Sequence, residues 1–157
     1  DWSSTCALPI STSSEKVIDY VQNFAKKLVQ ASICVLHVTD SQDEVLGYGG
    51  VFGEYPVYID PKELRQEIAT RFKHEHQKVQ EISHRLQQSG LKCLGLLVNG
   101  DSVVQTILKE ATKHQADMVI VGSEHKGLLM QLVEGSTSKS LINQASIPVL
   151  VVPVKTL

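Results

Sequence analysis

Hydrophobic and polar positions alternate between two regimes along this chain. Short, nearly continuous apolar runs are separated by longer stretches in which apolar residues recur every three or four positions. Thr5–Ile10 (TCALPI) is the first short run, with Pro9 near its end, where a strand tolerates proline. The hydroxyl residues Ser11–Ser14 can cap a helix. In Glu15–Gln30, Val17, Ile18, Val21, Phe24, Ala25 and Leu28 fall at helical spacing. Ser32–Thr39 (SICVLHVT) is β-branched and continuous, the mark of a strand buried on both faces. Pro61–Ser89 reads as one polar helix of about 43 Å, with Pro61 in its first turn and Gly90 ending it. Leu91–Val98 is a third strand, and Asn99-Gly100-Asp101 turns into a helix over Ser102–His114. Ala116–Val121, a short helix over Ser136–Ala145 and the run Ile147–Val154 complete the series. Strands separated by helices predict a parallel sheet covered on both faces by right-handed crossovers. Such sheets bind ligands at the carboxyl ends of the strands, where the strand order reverses.

At 157 residues the chain suits a single domain, 1–157, with a substantial core. Apolar content of 42% and charged content of 20% describe a soluble globular sequence. A net charge of −2 gives no electrostatic case for nucleic acid or an anionic membrane surface. No apolar run approaches the roughly 20 residues that span a bilayer, and no signal-like segment opens the sequence. The three cysteines, Cys6, Cys34 and Cys93, are odd in number and widely spaced, each in an expected buried strand. They read as small hydrophobes rather than a disulfide or zinc set, which places the chain in a reducing cytoplasm. The first residue is Asp1, not Met, so a regulatory domain cut from a longer transporter or sensor is a third functional reading.

The candidate chemistry sits in VGSEHKGLLMQLVEGSTSKS, between the fourth strand and the last helix. A strand ending at Gly122 and a helix starting at Gly135-Ser136 would present free N–H groups and a positive dipole end to a phosphate. The spacing resembles the nucleotide loop of the universal stress protein family, G-x2-G-x9-G-[S/T], with Gly122, Gly135 and Ser136 matching. HVTD at His37–Asp40, VNGDSVVQTILKEATKHQADMVIVGS and SIPVLVVPV are similar to other stretches of that family, so the resemblance covers nearly the whole chain. It implies an α/β three-layer sandwich of the adenine nucleotide α-hydrolase-like kind, with a five-stranded parallel sheet in the order 3-2-1-4-5. It also implies a homodimer formed through the last strand (Val149, Leu150, Val151, Val152). One branch of the family binds ATP and the other does not. The residues the resemblance places around ATP or AMP are Ser11, Val38, Gly122, Ser123, His125, Gly135, Ser136 and Thr137.

Two of these depart from the ATP-binding pattern. Ser11 stands where P-x-D-G-S has its aspartate, and a neutral hydroxyl bonds more weakly than a carboxylate. His125 stands where the loop has its second glycine, and its imidazole fills space that glycine leaves to ribose and phosphate. Both departures weigh toward a regulatory domain that acts through protein partners. A protonated His125 meeting a phosphate gives the alternative, a nucleotide-binding switch.

Other motifs add less. Gly135–Ser140 is not a Walker loop, because Ser138 rather than glycine precedes Lys139. His74, His76 and His84 on the long helix do not share a face at metal-ligand spacing, and His37 reads as a strand residue. No paired carboxylates or Ser-His-Asp logic point to an enzyme; slow hydrolysis or self-phosphorylation would use the hydroxyls of Ser136–Ser140. The glycine- and tyrosine-rich stretch Gly47–Tyr58 is a loop that the resemblance sets beside the crevice, as a lid, a partner surface or neither.

Overall fold

The computed structural model of the chain describes residues 5–9, 14–28, 30–39, 60–124 and 137–154. Among the described residues nine elements alternate: β1 (Thr5–Pro9), α1 (Ser14–Ala25), β2 (Ser32–Thr39), α2 (Pro61–Gln88), β3 (Lys92–Asn99), α3 (Val103–Lys113), β4 (Met118–Glu124), α4 (Thr137–Gln144) and β5 (Val149–Val154). All strand pairs are parallel, and the sheet order is β3-β2-β1-β4-β5. β2 is central enough to be buried from Ser32 to Leu36, as its continuous apolar run requires.

Side chains along the strands divide by parity into two cores. Ile33 and Val35 join Val17, Ile18, Val21 and Ala25 of α1 and Val79 and Leu86 of α2. Leu36 joins Ile107 and Ala111 of α3 and Leu141 of α4. α1 lies over β4 and β5, whereas α2 lies over β3 and β2. The two helices are tied by Arg85, which donates to Glu15 at 2.7 Å and to Asp19.

Local chemistry sets the helix ends. The Asp60 carboxylate accepts from Lys62 N–H at 2.8 Å, and Pro61 occupies the first helical position of α2. Gly90, at φ +88°, turns the chain at the other end. There Leu91 N–H reaches Leu86 O at 3.2 Å and Gly90 N–H reaches Gln87 O at 2.9 Å, a Schellman closure. α3 closes in the same way, with Gln115 at φ 52° in place of glycine. Gly95 lets α2 lie directly on β3, since a Cβ there would sit 2.8 Å from Val79 Cγ1.

Three expectations need correction. The fourth strand continues past Val121 to Glu124, because Gly122, Ser123 and Glu124 pair with Val152, Pro153 and Val154 of β5. Gly122 is therefore not the last residue of the strand, and Ser123 is a strand residue rather than the start of a loop. The last strand begins at Val149, two residues later than its apolar run, after Pro148. Cys93 is half-buried rather than buried, because β3 is an outer strand, whereas Cys34 is fully enclosed. Among the described residues, no helix is long and apolar enough to cross a membrane.

Candidate functional site

The strand order reverses between β1 and β4, which pair in parallel through Cys6↔Met118 and Ala7↔Val119. Their carboxyl ends therefore leave the sheet side by side, β1 at Pro9 and β4 at Glu124. This is the position at which doubly wound sheets hold ligands. α4 begins at Thr137, so its free N–H groups belong to the same end of the sheet.

The sequence-predicted residues distribute around this point as follows. Val38 lies near the end of β2, paired with Val98, and packs half-buried against the α3–α4 core. Gly122 and Ser123 lie in the last turns of pleat of β4, and Gly122 is half-buried. Thr137 opens α4. Ser11, His125, Gly135 and Ser136 lie outside the described residues, as does the stretch Gly47–Tyr58.

The turn after β3 is fixed at the same end of the sheet. Gly100 N–H donates to Thr39 O at 3.0 Å. Ser102 caps α3 by accepting from Gln105 N–H at 3.4 Å. A Cβ on Gly100 would lie 2.0 Å from Thr106 Oγ1, so only glycine allows the first turn of α3 to approach this closely.

The structure adds a polar cluster that the linear sequence did not reveal. On the α2 side of β2, His37 Nε2 lies 3.6 Å from Glu75 Oε2, and Arg71 Nε lies 3.9 Å from Glu75 Oε1. Glu75 Oε2 and the hydroxyl of the neighbouring Thr39 are buried without a hydrogen-bond partner. His37 was expected as a plain strand residue. Its carboxylate neighbour is 38 positions away in the sequence and is supplied only by the packing of α2 on β2. The half-buried imidazole, the carboxylate and the Thr39 hydroxyl thus form a small polar patch at the carboxyl end of β2.

Cys34 and Cys93 are protonated at neutral pH. Burial pushes the Cys34 thiol up to about 12. Burial also raises Cys93, partly offset by a hydrogen bond from Ser83. Both are poor thiolates at neutral pH. Among the described residues, no three His, Cys, Asp or Glu side chains gather as a metal set. A shallow groove along the amino-terminal half of α2, lined by Arg65, Ile68, Ala69, Phe72, Lys73 and His76, has an apolar floor and a cationic rim.

Comparison with known proteins agrees with this architecture. The sequence matches the family model described as the Universal stress protein family over residues 6–153. It is 27% identical to universal stress protein MJ0577 of Methanocaldococcus jannaschii over 150 residues, 90% of this chain and 88% of that protein. The solved structure of MJ0577 superposes with a TM-score of 0.71 at 24% identity, covering 98% of both chains. A universal stress protein solved in complex with cAMP gives 0.61 at 16% identity, covering 99% of this chain and 100% of that one. The Archaeoglobus fulgidus universal stress protein in complex with dAMP gives 0.54 at 14% identity, covering 94% and 95%. With its family model matched from the first strand to the last, this chain belongs to the universal stress protein family.

Proposed function

We propose that this chain is a dimeric, cytoplasmic stress-response regulator that acts through protein partners and has an altered nucleotide crevice with weak or no affinity for ATP. One observation carries the proposal: β1 and β4 are paired neighbours, so the segments holding Ser11 and His125 leave the sheet from adjacent strand ends. Both departures from the ATP-binding pattern thus bear on one crevice. The first withdraws a carboxylate and the second adds a bulky ring where glycine would leave room. The two apolar cores on opposite faces of the sheet support the three-layer reading.

A second reading is a switch that binds AMP or another adenine nucleotide. It is favoured by two structural neighbours, one solved with cAMP and one with dAMP. In this reading Gly122, Ser123, Gly135, Ser136 and Thr137 surround the phosphate, with His125 as a cationic contact and Val38 beside the base. Titration calorimetry with ATP and with AMP separates the two. The regulator reading expects no ATP heat from the natural chain and recovery of binding in Ser11→Asp/His125→Gly. Micromolar ATP binding by the natural chain overturns it. AMP binding that weakens as pH rises through the histidine range favours the switch.

The homodimer is proposed through β5. Pro148 O accepts from Val119 N–H at 2.9 Å, so main-chain groups at Pro148 point toward β4. By alternation those of Val149, Val151 and Pro153 point outward. Pro153 has no N–H to leave unpaired on that side. The outward groups of Val149 and Val151 suit antiparallel pairing with the same strand of a second copy.

A further inference from the structure

We infer that the amino-terminal half of α2 is a docking surface for an acidic amphipathic helix of a partner protein. That helix lays an apolar row into the furrow between Phe72 and Ala69 and sets its carboxylates against Arg65 and Lys73. The inference rests on the partner-acting reading proposed above and supplies the surface for it.

The argument starts with spacing along α2. Residues four apart on a helix line up as ridges, and the furrow between neighbouring ridges receives a ridge of a second helix. Ile68, Phe72 and His76 form one such row, and Arg65, Ala69 and Lys73 form the next. All six line the groove on α2, whose volume is about 620 Å³. Ala69 offers only a methyl group, so the second row dips at its middle, beside the Phe72 ring. Val79 and Leu86, further along, seat α2 on the sheet, whereas Phe72 is 40% exposed. An exposed aromatic ring next to a dip gives a partner both an anchor and room to reach it. A shallow furrow of this form takes up a row of side chains rather than enclosing a small molecule.

Charge decides which helix fits. Ion pairs within a helix join positions three or four apart. Arg65 has Pro61, Lys62, Ile68 and Ala69 at those positions, and Lys73 has Ala69, Thr70, His76 and Gln77. Neither cation therefore meets a carboxylate of its own helix at that spacing. The acid nearest the furrow in sequence, Glu75, is turned to His37 at 3.6 Å and to Arg71 at 3.9 Å. His76 lies against Gln80 at 3.5 Å. The apolar rows are thus bordered by positive charge that α2 does not balance, although the whole chain carries −2. A partner helix with Glu or Asp beside its apolar row balances that charge, and a basic helix is repelled. An anionic membrane fits less well, because one exposed ring and two cations are a small anchor for a chain of net negative charge.

A panel of amphipathic helical peptides tests this. Each carries leucine at every fourth position, with flanking positions occupied by Glu, Gln or Lys. Fluorescence anisotropy follows their binding to the natural chain, Phe72→Ala, Ala69→Leu and Arg65→Glu/Lys73→Glu, and circular dichroism confirms that each variant folds. The Glu-flanked peptide is expected to bind the natural chain at least about tenfold more tightly than the Lys-flanked one, and more weakly as salt rises. Phe72→Ala removes the anchor, and Ala69→Leu fills the dip at an exposed position where leucine suits a helix. Each should weaken binding at least about tenfold. Arg65→Glu/Lys73→Glu should reverse the preference between the two peptides. The inference falls if the Glu-flanked peptide does not bind, if the Lys-flanked peptide binds as well, or if the substitutions leave affinity unchanged. It also falls if vesicles of phosphatidylcholine and phosphatidylserine in equal parts bind the natural chain but not Phe72→Ala, which assigns the surface to a membrane. A parallel titration with ATP separates this inference from the reading beneath it. Micromolar ATP binding overturns the regulator, whereas no ATP heat together with no peptide binding removes the surface alone.

Discussion

β3 and β5 both run along an open side of the sheet, yet they are built from different materials. β3 begins with Lys92 and ends with Asn99, both exposed. Gln87 of α2 reaches over and donates to Cys93 O at 2.9 Å. Gly95 brings the helix down onto the strand. Charge, a side-chain cap and a close helix all discourage a further strand from adding there. β5, Val149–Val154, has no charged side chain. It reads Val-Leu-Val-Val-Pro-Val, and the helices beside it turn exposed apolar side chains outward. One boundary of the sheet is finished within the chain. The other is apolar and carries no charged side chain of its own.

Four substitutions sharpen this contrast, the largest effect first. Gly95→Val forces a branched side chain into Val79 and Ser83, so α2 must lift from the finished boundary. The expected cost is about 3 kcal/mol in urea unfolding. A loss below about 1 kcal/mol would mean that the helix is not seated as closely as the contact implies.

Cys34 in the interior strand β2 probes the sheet between the two boundaries. Its folded thiol is raised to about 12 by burial, against an ordinary 9.0. Below pH 9.0 both folded and unfolded chains keep the proton, and the contribution is fully present. As pH rises from there toward about 12, the unfolded chain ionises first, so stability falls. Thermal melts from pH 8 to pH 10 should show a loss on the order of 1 kcal/mol that Cys34→Val removes. An unchanged alkaline limb in the variant would assign the loss elsewhere.

Gln87→Ala uncovers a carbonyl of β3 and should cost about 1 kcal/mol. Its more telling effect is on association. Light scattering at raised temperature should show new self-association if Gln87 guards that edge, and none if Lys92 suffices. Arg85→Ala breaks a pair of exposed ionic contacts between α1 and α2 and should cost less than about 1 kcal/mol, less still at high salt.

Most of the architecture was legible because strands buried on both faces and amphipathic helices leave distinct periodicities. Ser32–Thr39 and Pro61–Gln88 lie within a residue of where their patterns placed them. The errors arose where pairing, not composition, sets an element's length. β4 extends through Gly122 and Ser123 because β5 continues alongside, and no local feature of Gly-Ser announces a strand. Motif spacing set Gly122 at the end of the fourth strand and Ser136 at the start of the last helix; Gly122 lies within β4, and Ser136 falls outside the described residues. The contact of His37 with Glu75 was not legible, because it joins two elements whose sequences carry no mark of each other. The contrast between the outer strands was half-legible. The apolar run of β5 could be read directly, but the role of Gln87 at β3 depends on how α2 lies.

The length of α2 has a consequence for how the molecule opens and closes. The helix is 28 residues long, about 42 Å, while β3 beneath it is 8 residues, about 26 Å. Its buried residues, Val79, Ser83 and Leu86, all lie in its carboxyl-terminal half. Its amide protons should therefore exchange with solvent along a gradient, fastest near Asp60 and slowest near Leu86. A single continuous helix would then span two kinetic regimes: an anchored end that opens only when the domain unfolds, and a free end that unwinds and rewinds many times before it does.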